Sequence, residues 1–264
     1  MDLELTGKRV FVTGGSVGIG LAVARKFAAE CCKVAICARN AERVEQEAKR
    51  IADDYSVVTL GITADVTKPD DIATAHEKIV EAFGGLDILI NNAGTGSEET
   101  VQEASDERWY YYWDLHVMAA IRTVRAFIPE MKQAGGGIII NTASICAKQP
   151  LWYEPIYNTT KAALVMMGKC LANEVVDDNI RVNTISPGLV RTPDWEKTGG
   201  ILAEKEGITV DEFLSRVAHK HAPIKRFAST EEIADLYVYL ASPRASYVVG
   251  SNFYIDGGWL RVAE

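Results

Sequence analysis

The chain of 264 residues predicts one α/β domain, a doubly wound parallel sheet of about seven strands with helices on both faces. Three observations predict it. Short apolar runs alternate with longer stretches of helical spacing along the whole chain. A glycine-rich turn joins the first apolar run to the first helical stretch. No composition break, repeat or low-complexity tract divides residues 1–264, and this length suits one large domain better than two small ones.

Val10–Val12 reads as the first strand, and Gly20–Glu30 as a helix with Leu21, Ala24, Phe27 and Ala28 on one face. Val34–Cys37 is the second strand, and Ala41–Asp54 a charge-rich helix. Val57–Ile62 is the third strand. Pro69–Phe83 is a helix opened by proline in its first turn. Leu86–Ile90 is the fourth strand, apolar almost throughout. Helices follow near Trp109–Lys132 and Tyr157–Val176. Ile138–Ile140, Val182–Ile185 and Phe253–Ile255 are the remaining strands. Near-continuous apolar strands separated by helices belong to a parallel sheet covered on both faces. The segment from Pro187 to Pro223 is the least regular, punctuated by Gly199, Gly200 and Gly207, with a helix at Val210–His219. Such an insert, about 188–223, suits a substrate loop or lid.

Hydrophobic residues at 48% supply a sizeable core. A net charge of -8 argues against nucleic acid or an anionic membrane as partner. No apolar run reaches the ~18 residues of a membrane span, and the first residues lack a signal-peptide pattern. Five cysteines without metal-type spacing read as reduced thiols, so a cytoplasmic protein without a metal site is expected. Cys146 reads as a small packing residue.

The run from Thr13 to Gly20 contains Gly14, Gly18 and Gly20 between strand and helix. Glycines there let backbone approach a pyrophosphate while the helix N-terminus faces the charge; a plain tight turn is the alternative. The second strand ends in Cys37-Ala38-Arg39-Asn40, with no carboxylate for a ribose 2′-hydroxyl. Arg39 suits a 2′-phosphate, which favours NADP(H) and leaves NAD(H) possible. The alternative is a solvated charge or a stacking partner for adenine. Asp65 either meets the adenine amine or caps a turn with Thr67.

Tyr157 and Lys161 form a Tyr-x-x-x-Lys pair on one helix face, with Ser144 thirteen residues before the tyrosine. A phenol, an ammonium and a hydroxyl make a proton-transfer site for a carbonyl or alcohol. A nearby ammonium is expected to lower the phenol's pKa from its usual ~10.

Together these residues resemble the short-chain dehydrogenase/reductase family, from Gly7 to Gly258. Thr13–Gly20 is similar to its Thr-Gly-x-x-x-Gly-x-Gly motif, and Asn91-Asn92-Ala93-Gly94 to its Asn-Asn-Ala-Gly stretch. Ser144, Tyr157 and Lys161 match its catalytic residues. Pro187-Gly188 with Thr192 resembles its nicotinamide segment, and Asp256-Gly257-Gly258 its C-terminal signature. The resemblance implies a Rossmann-type fold and hydride transfer between NADP(H) and a carbonyl or secondary alcohol, with Tyr157 as general acid/base. It implies a cofactor site built from Gly14, Ser16, Gly18, Ile19, Gly20, Arg39, Asn40, Asp65, Val66, Asn92, Ala93, Gly94, Tyr157, Lys161, Pro187, Gly188, Val190 and Thr192.

Two positions depart from the family. Val17 stands where many NADP-dependent members carry Lys or Arg. His116 stands where a helix Asn completes a catalytic tetrad, counting thirteen back from Pro129. His116 could relay a proton or simply pack. Gln149, Leu151, Trp152, Tyr153 and Trp195 suggest an apolar or cyclic ketone or alcohol, unless they serve core or subunit contacts. Arg191 is a candidate for an anionic substrate group, with a surface role favoured. A 3-oxoacyl-thioester reductase and a non-catalytic cofactor sensor are the other readings. The resemblance also implies a homotetramer, with Tyr110-Tyr111-Tyr112-Trp113 partly in the interface.

Overall fold

The computed structural model describes residues 2–262 except 98, 152 and 153. Trp152 and Tyr153, two of the expected pocket aromatics, lie outside the described residues.

Seven parallel strands run in the order β3-β2-β1-β4-β5-β6-β7. They are β1 (Arg9–Thr13), β2 (Lys33–Ala38), β3 (Thr59–Thr63), β4 (Ile88–Asn91), β5 (Gly137–Thr142), β6 (Ile180–Pro187) and β7 (Asn252–Ile255). The strand order reverses between β1 and β4. Ligands of such sheets bind at that reversal, beyond the carboxyl ends of the strands.

Alternate strand residues feed opposite layers. Val10, Val12, Ile36, Ile90, Ile140 and Ile185 pack with α1 (Gly18–Ala29), α2 (Ala41–Tyr55) and α9 (Thr230–Ala241). Phe11, Ala35, Leu89, Ile139 and Val182 pack with α3 (Pro69–Phe83), α5 (Ala119–Gln133) and α6 (Pro155–Val175). Burial of both faces explains why the strands read as continuous apolar runs.

Three expectations are corrected. The third strand starts at Thr59 because Ser56 turns the chain in a left-handed conformation (φ 57) and leaves Val58 exposed. The helix expected over Trp109–Lys132 is interrupted. α4 (Asp106–Trp113) passes through a π-helical turn at Asp114–Met118 before α5 resumes, and Pro129 sits inside α5. The irregular insert is a helical pair instead, α7 (Pro193–Glu206) and α8 (Val210–His221). Thr192 and Thr209 cap these helices through the amides of Trp195 and Glu212. Gly199 lies inside α7 and packs on Leu214: a Cβ there would sit 3.1 Å from Leu214 Cδ2. The glycine pair that reads as loop punctuation sits at a close helix contact.

Candidate active site

The carboxyl ends of β1, β4, β5 and β6 converge on one cleft. Thr13 ends β1 and ties it to the loop after β4: its hydroxyl accepts from the amides of Asn92 (3.0 Å) and Ala93 (3.1 Å). The Asn92 side chain returns donors to the carbonyls of Thr13 (3.0 Å) and Gly14 (3.3 Å). The glycine loop is therefore clamped against the β4 loop. A Cβ at Gly14 would lie 2.9 Å from Ala93 Cα, and one at Gly20 2.3 Å from Gly14 O.

Gly18 opens α1 at φ 56, and no acidic residue occupies the first turn. The Thr192 methyl stands beside it, 3.6 Å from a Cβ built there. This cradle fits a pyrophosphate: close-approach backbone, a helix N-terminus without a competing carboxylate, and a wall from the β6 end. Ser16 is buried in the loop, Ile19 partly so. Val66 is buried behind the cleft, lining a small cavity with Thr13 and His116.

Four expected cofactor contacts look different in the structure. Asn40 spends its Oδ1 on capping α2, accepting from the Arg43 amide at 2.8 Å. Asp65 Oδ1 accepts from the Thr67 amide (3.0 Å) and hydroxyl (2.8 Å), the turn-capping alternative. Val190 is buried in the core under the cleft. Arg39 is exposed, with Nη1 3.5 Å from the Tyr111 hydroxyl, and its charge helps hold Asp65 low. Gly188 is pressed by the Asp-Gly-Gly turn, since a Cβ there would lie 2.7 Å from Asp256 Cα. That turn is held by Asp256, which accepts from the amides of Gly258 and Leu260.

Ser144, Tyr157, Lys161 and His116 are brought together. Ser144 follows β5 and accepts from the Cys146 amide at 3.2 Å. Tyr157 and Lys161 lie one turn apart on α6. Lys161 Nζ sits 5.5 Å from the Tyr157 ring centre and donates to Thr142 O at 2.8 Å. The His116 and Tyr157 rings meet edge to face at 5.5 Å.

The electrostatics differ from expectation. Burial pushes the Tyr157 phenol up, with Cys146, Glu154 and Asp194 adding to it, while the Ser144 hydroxyl pulls it down. Lys161 does not offset this. Burial lowers its own pKa to about 8, and its ammonium is directed at Thr142 O. Lysine and tyrosine here share one desolvated environment that favours the neutral form of each.

His116 is buried, and burial holds its pKa well below the usual 6.5, with the Lys161 charge adding. The Thr95 amide donates to Nε2 at 3.3 Å, so Nδ1 carries the proton and donates to Thr160 Oγ1 at 2.8 Å. Thr160 in turn donates to the Ile156 carbonyl at 3.0 Å. The neutral imidazole thus links the β4 loop, the π-helical turn and α6.

Sequence reasoning missed Thr95, Thr142 and Thr160, which act through backbone or hydroxyl contacts that no motif spacing records. It also missed Asn158, whose amide pins Leu151 by two bonds of 3.3 and 2.5 Å. Arg191 pairs with Glu196 and Asp211 at the exposed junction of α7 and α8, the surface role. Gln149 accepts from the Arg261 amide at 3.1 Å and so anchors the C-terminal segment. Trp195 packs against Phe227 at 5.2 Å, in an apolar cluster that includes Tyr157 and Leu151. Burial pushes the Cys146 thiol up to about 11, which suits a packing role. Among the described residues no His, Cys, Asp and Glu cluster could hold a metal, and no helix is long and apolar enough to cross a membrane.

A nucleotide cradle beside a Ser-Tyr-Lys constellation at a sheet reversal defines a dinucleotide-dependent oxidoreductase. The family model described as enoyl-(acyl carrier protein) reductase matches residues 14–260. D-beta-hydroxybutyrate dehydrogenase of Rhizobium meliloti is 33% identical over 256 residues, covering 96% of this chain and 98% of its own length. Galactitol 2-dehydrogenase of Agrobacterium fabrum is 33% identical over 260 residues, covering 98% and 100%. The crystal structure of L-sorbose reductase from Gluconobacter frateurii, complexed with NADPH and L-sorbose, is 51% identical with a TM-score of 0.98, each chain covered completely. The chain belongs to the short-chain dehydrogenase/reductase family.

Proposed function

We propose that the protein reduces a small hydroxylated ketone, a ketose of the L-sorbose kind, with NADPH as hydride donor and Tyr157 as proton donor. The observation that carries this reading is the full-length likeness, at 51% identity, to a reductase holding NADPH and L-sorbose. It moves the substrate away from the apolar or cyclic ketone that the pocket aromatics suggest.

NADPH, when bound, supplies the hydride. The glycine cradle of Gly14, Gly18 and Gly20 would hold its pyrophosphate, and Arg39, at the exposed end of β2, would take the 2′-phosphate. Ser144 orients the carbonyl oxygen and stabilises charge developing there. Tyr157 donates its proton to that oxygen. The phenol, raised by burial, holds this proton at neutral pH, as a proton donor must. His116, neutral and hydrogen-bonded through both ring nitrogens, positions the β4 loop against α6 and relays no proton to the substrate. The α7–α8 pair forms the substrate-side wall. The exposed Tyr110, Trp113 and Met166 on α4 and α6 suit a subunit contact of the homotetramer that the family resemblance implies.

The test is NADPH consumption with L-sorbose, with NADH and an acetoacetyl thioester as comparisons. NADPH-dependent turnover of L-sorbose is expected, and Arg39→Asp should lower kcat/KM for NADPH at least tenfold while sparing NADH. Turnover of the thioester alone points to an acyl-thioester reductase. Tight NADPH binding without turnover on any ketone points to a sensor.

A pH profile gives a second check. Lys161, which would hold the nicotinamide end of the cofactor as an ammonium, loses that charge as pH rises through about 8. Reductive kcat/KM should therefore be level from pH 6 to about 7.5 and fall above pH 8. No limb should appear near 6.5, because His116 is already neutral there. A histidine limb near 6.5 would contradict the positioning role of His116.

A further inference from the structure

Glu154 immediately precedes α6, one residue before Pro155 and three before Tyr157. It stands at the N-cap position, yet its side chain makes no cap hydrogen bond. The carboxylate instead lies against Gly96 in the loop after β4. A Cβ built on Gly96 would lie 2.8 Å from Glu154 Oε1. That loop is rigidly held, since the Tyr112 hydroxyl donates to Gly96 O at 2.6 Å and the Thr95 amide donates to His116. The charge of Glu154 is felt at Tyr157 and at Cys146, raising both. The Tyr157 ring itself packs in an apolar cluster with Ile145, Leu189, Trp195 and Phe227.

A proton-donating phenol thus has a carboxylate one helical turn away and hydrocarbon packed around its ring. Neither Ser144, Tyr157 nor Lys161 can distinguish a bare ketone from a hydroxylated one, because all three address the carbonyl or the cofactor. We propose that Glu154 is the specificity-determining residue, accepting hydrogen bonds from substrate hydroxyls beside the reacting carbonyl. The proposal rests on the ketose reading given above and extends it to a particular side chain.

The physical basis is asymmetric. A hydroxyl donating to a carboxylate forms a charge-assisted bond, stronger than a neutral one. A carboxylate has about four acceptor sites, so it takes a substrate hydroxyl alongside its protein neighbours. An apolar ketone would desolvate the same carboxylate and return no donor, which is costly. Sites built to hydrogen-bond a substrate hydroxyl reject the analogue lacking it far more strongly than apolar pockets reject a changed methylene. The same negative charge disfavours keto acids by repulsion.

The experiment compares kcat/KM for L-sorbose and for cyclohexanone in wild type, Glu154→Gln and Glu154→Asp. The NADPH dissociation constant of each variant serves as the check on folding. Glu154→Gln should lower the ratio of L-sorbose to cyclohexanone kcat/KM at least tenfold, mainly through a higher KM for L-sorbose. Glu154→Asp, which keeps the charge but retracts it, should fall between. Equal losses on both substrates, or an unchanged ratio, would overturn the assignment while leaving the ketose reading intact. A wild-type protein that reduces cyclohexanone and ignores L-sorbose overturns both.

Discussion

Tyr157→Phe is expected to lower kcat/KM for ketone reduction by about 10²- to 10⁴-fold, the usual worth of a positioned acid or base. The dissociation constant for NADPH should stay within about threefold. Phenylalanine keeps the ring that meets His116 edge to face and lies under Lys161 Nζ, so packing is preserved. Only the hydroxyl is deleted, in a place where burial already disfavours its ionised form. The loss should therefore fall on kcat with the stability barely changed. Stopped-flow or steady-state NADPH oxidation reads the first quantity and fluorescence titration the second. A loss of less than tenfold would move the proton-donor role to Ser144, the other hydroxyl at the site. A large loss of NADPH affinity would mean that the phenol is chiefly a cofactor contact.

The sheet was legible in the chain because parallel strands buried on both faces carry the densest apolar runs, such as Ile138–Ile140. Its reversal point was legible because glycines at Gly14, Gly18 and Gly20 sit between a strand and a helix. What stayed hidden depends on tertiary contact. The π-helical turn at Asp114–Met118 has no composition signature of its own and is placed by the hydrogen bonds of His116 to Thr95 and Thr160. Helix α7 was obscured by Gly199 and Gly200, whose local propensity argues against a helix while Leu214 packs closely on the first. The charge balance at the site was also hidden. Spacing puts Lys161 beside Tyr157, but only the fold shows that both are desolvated and that the ammonium turns to Thr142 O. Polar partners such as Thr142 and Asn158 work through backbone groups, which leave no trace in a motif.

The glycine motif supplies the second large effect. Gly20→Ala is expected to destabilise the fold by about 3 kcal/mol or more and to abolish measurable NADPH binding. The new methyl carbon would lie 2.3 Å from Gly14 O and 2.4 Å from Asn92 Nδ2. Neither neighbour can withdraw cheaply. Gly14 is itself pinned against Ala93, and the Asn92 amide is bonded to the carbonyls of Thr13 and Gly14. Relief requires α1 to move away from the β1 turn, and that movement opens the cradle where the pyrophosphate would sit. Gly200→Ala is the matched control. It is also helical, but a Cβ there meets only Val210 Cγ2 at 3.9 Å. Alanine at that position should stabilise by about 0.5–1 kcal/mol, since glycine's backbone freedom in the unfolded chain is removed without a clash. Denaturant midpoints for the two variants should therefore move in opposite directions. A Gly20→Ala protein with wild-type midpoint and NADPH affinity would show that the turn does not form the close-packed cradle described for Gly14 and Gly20.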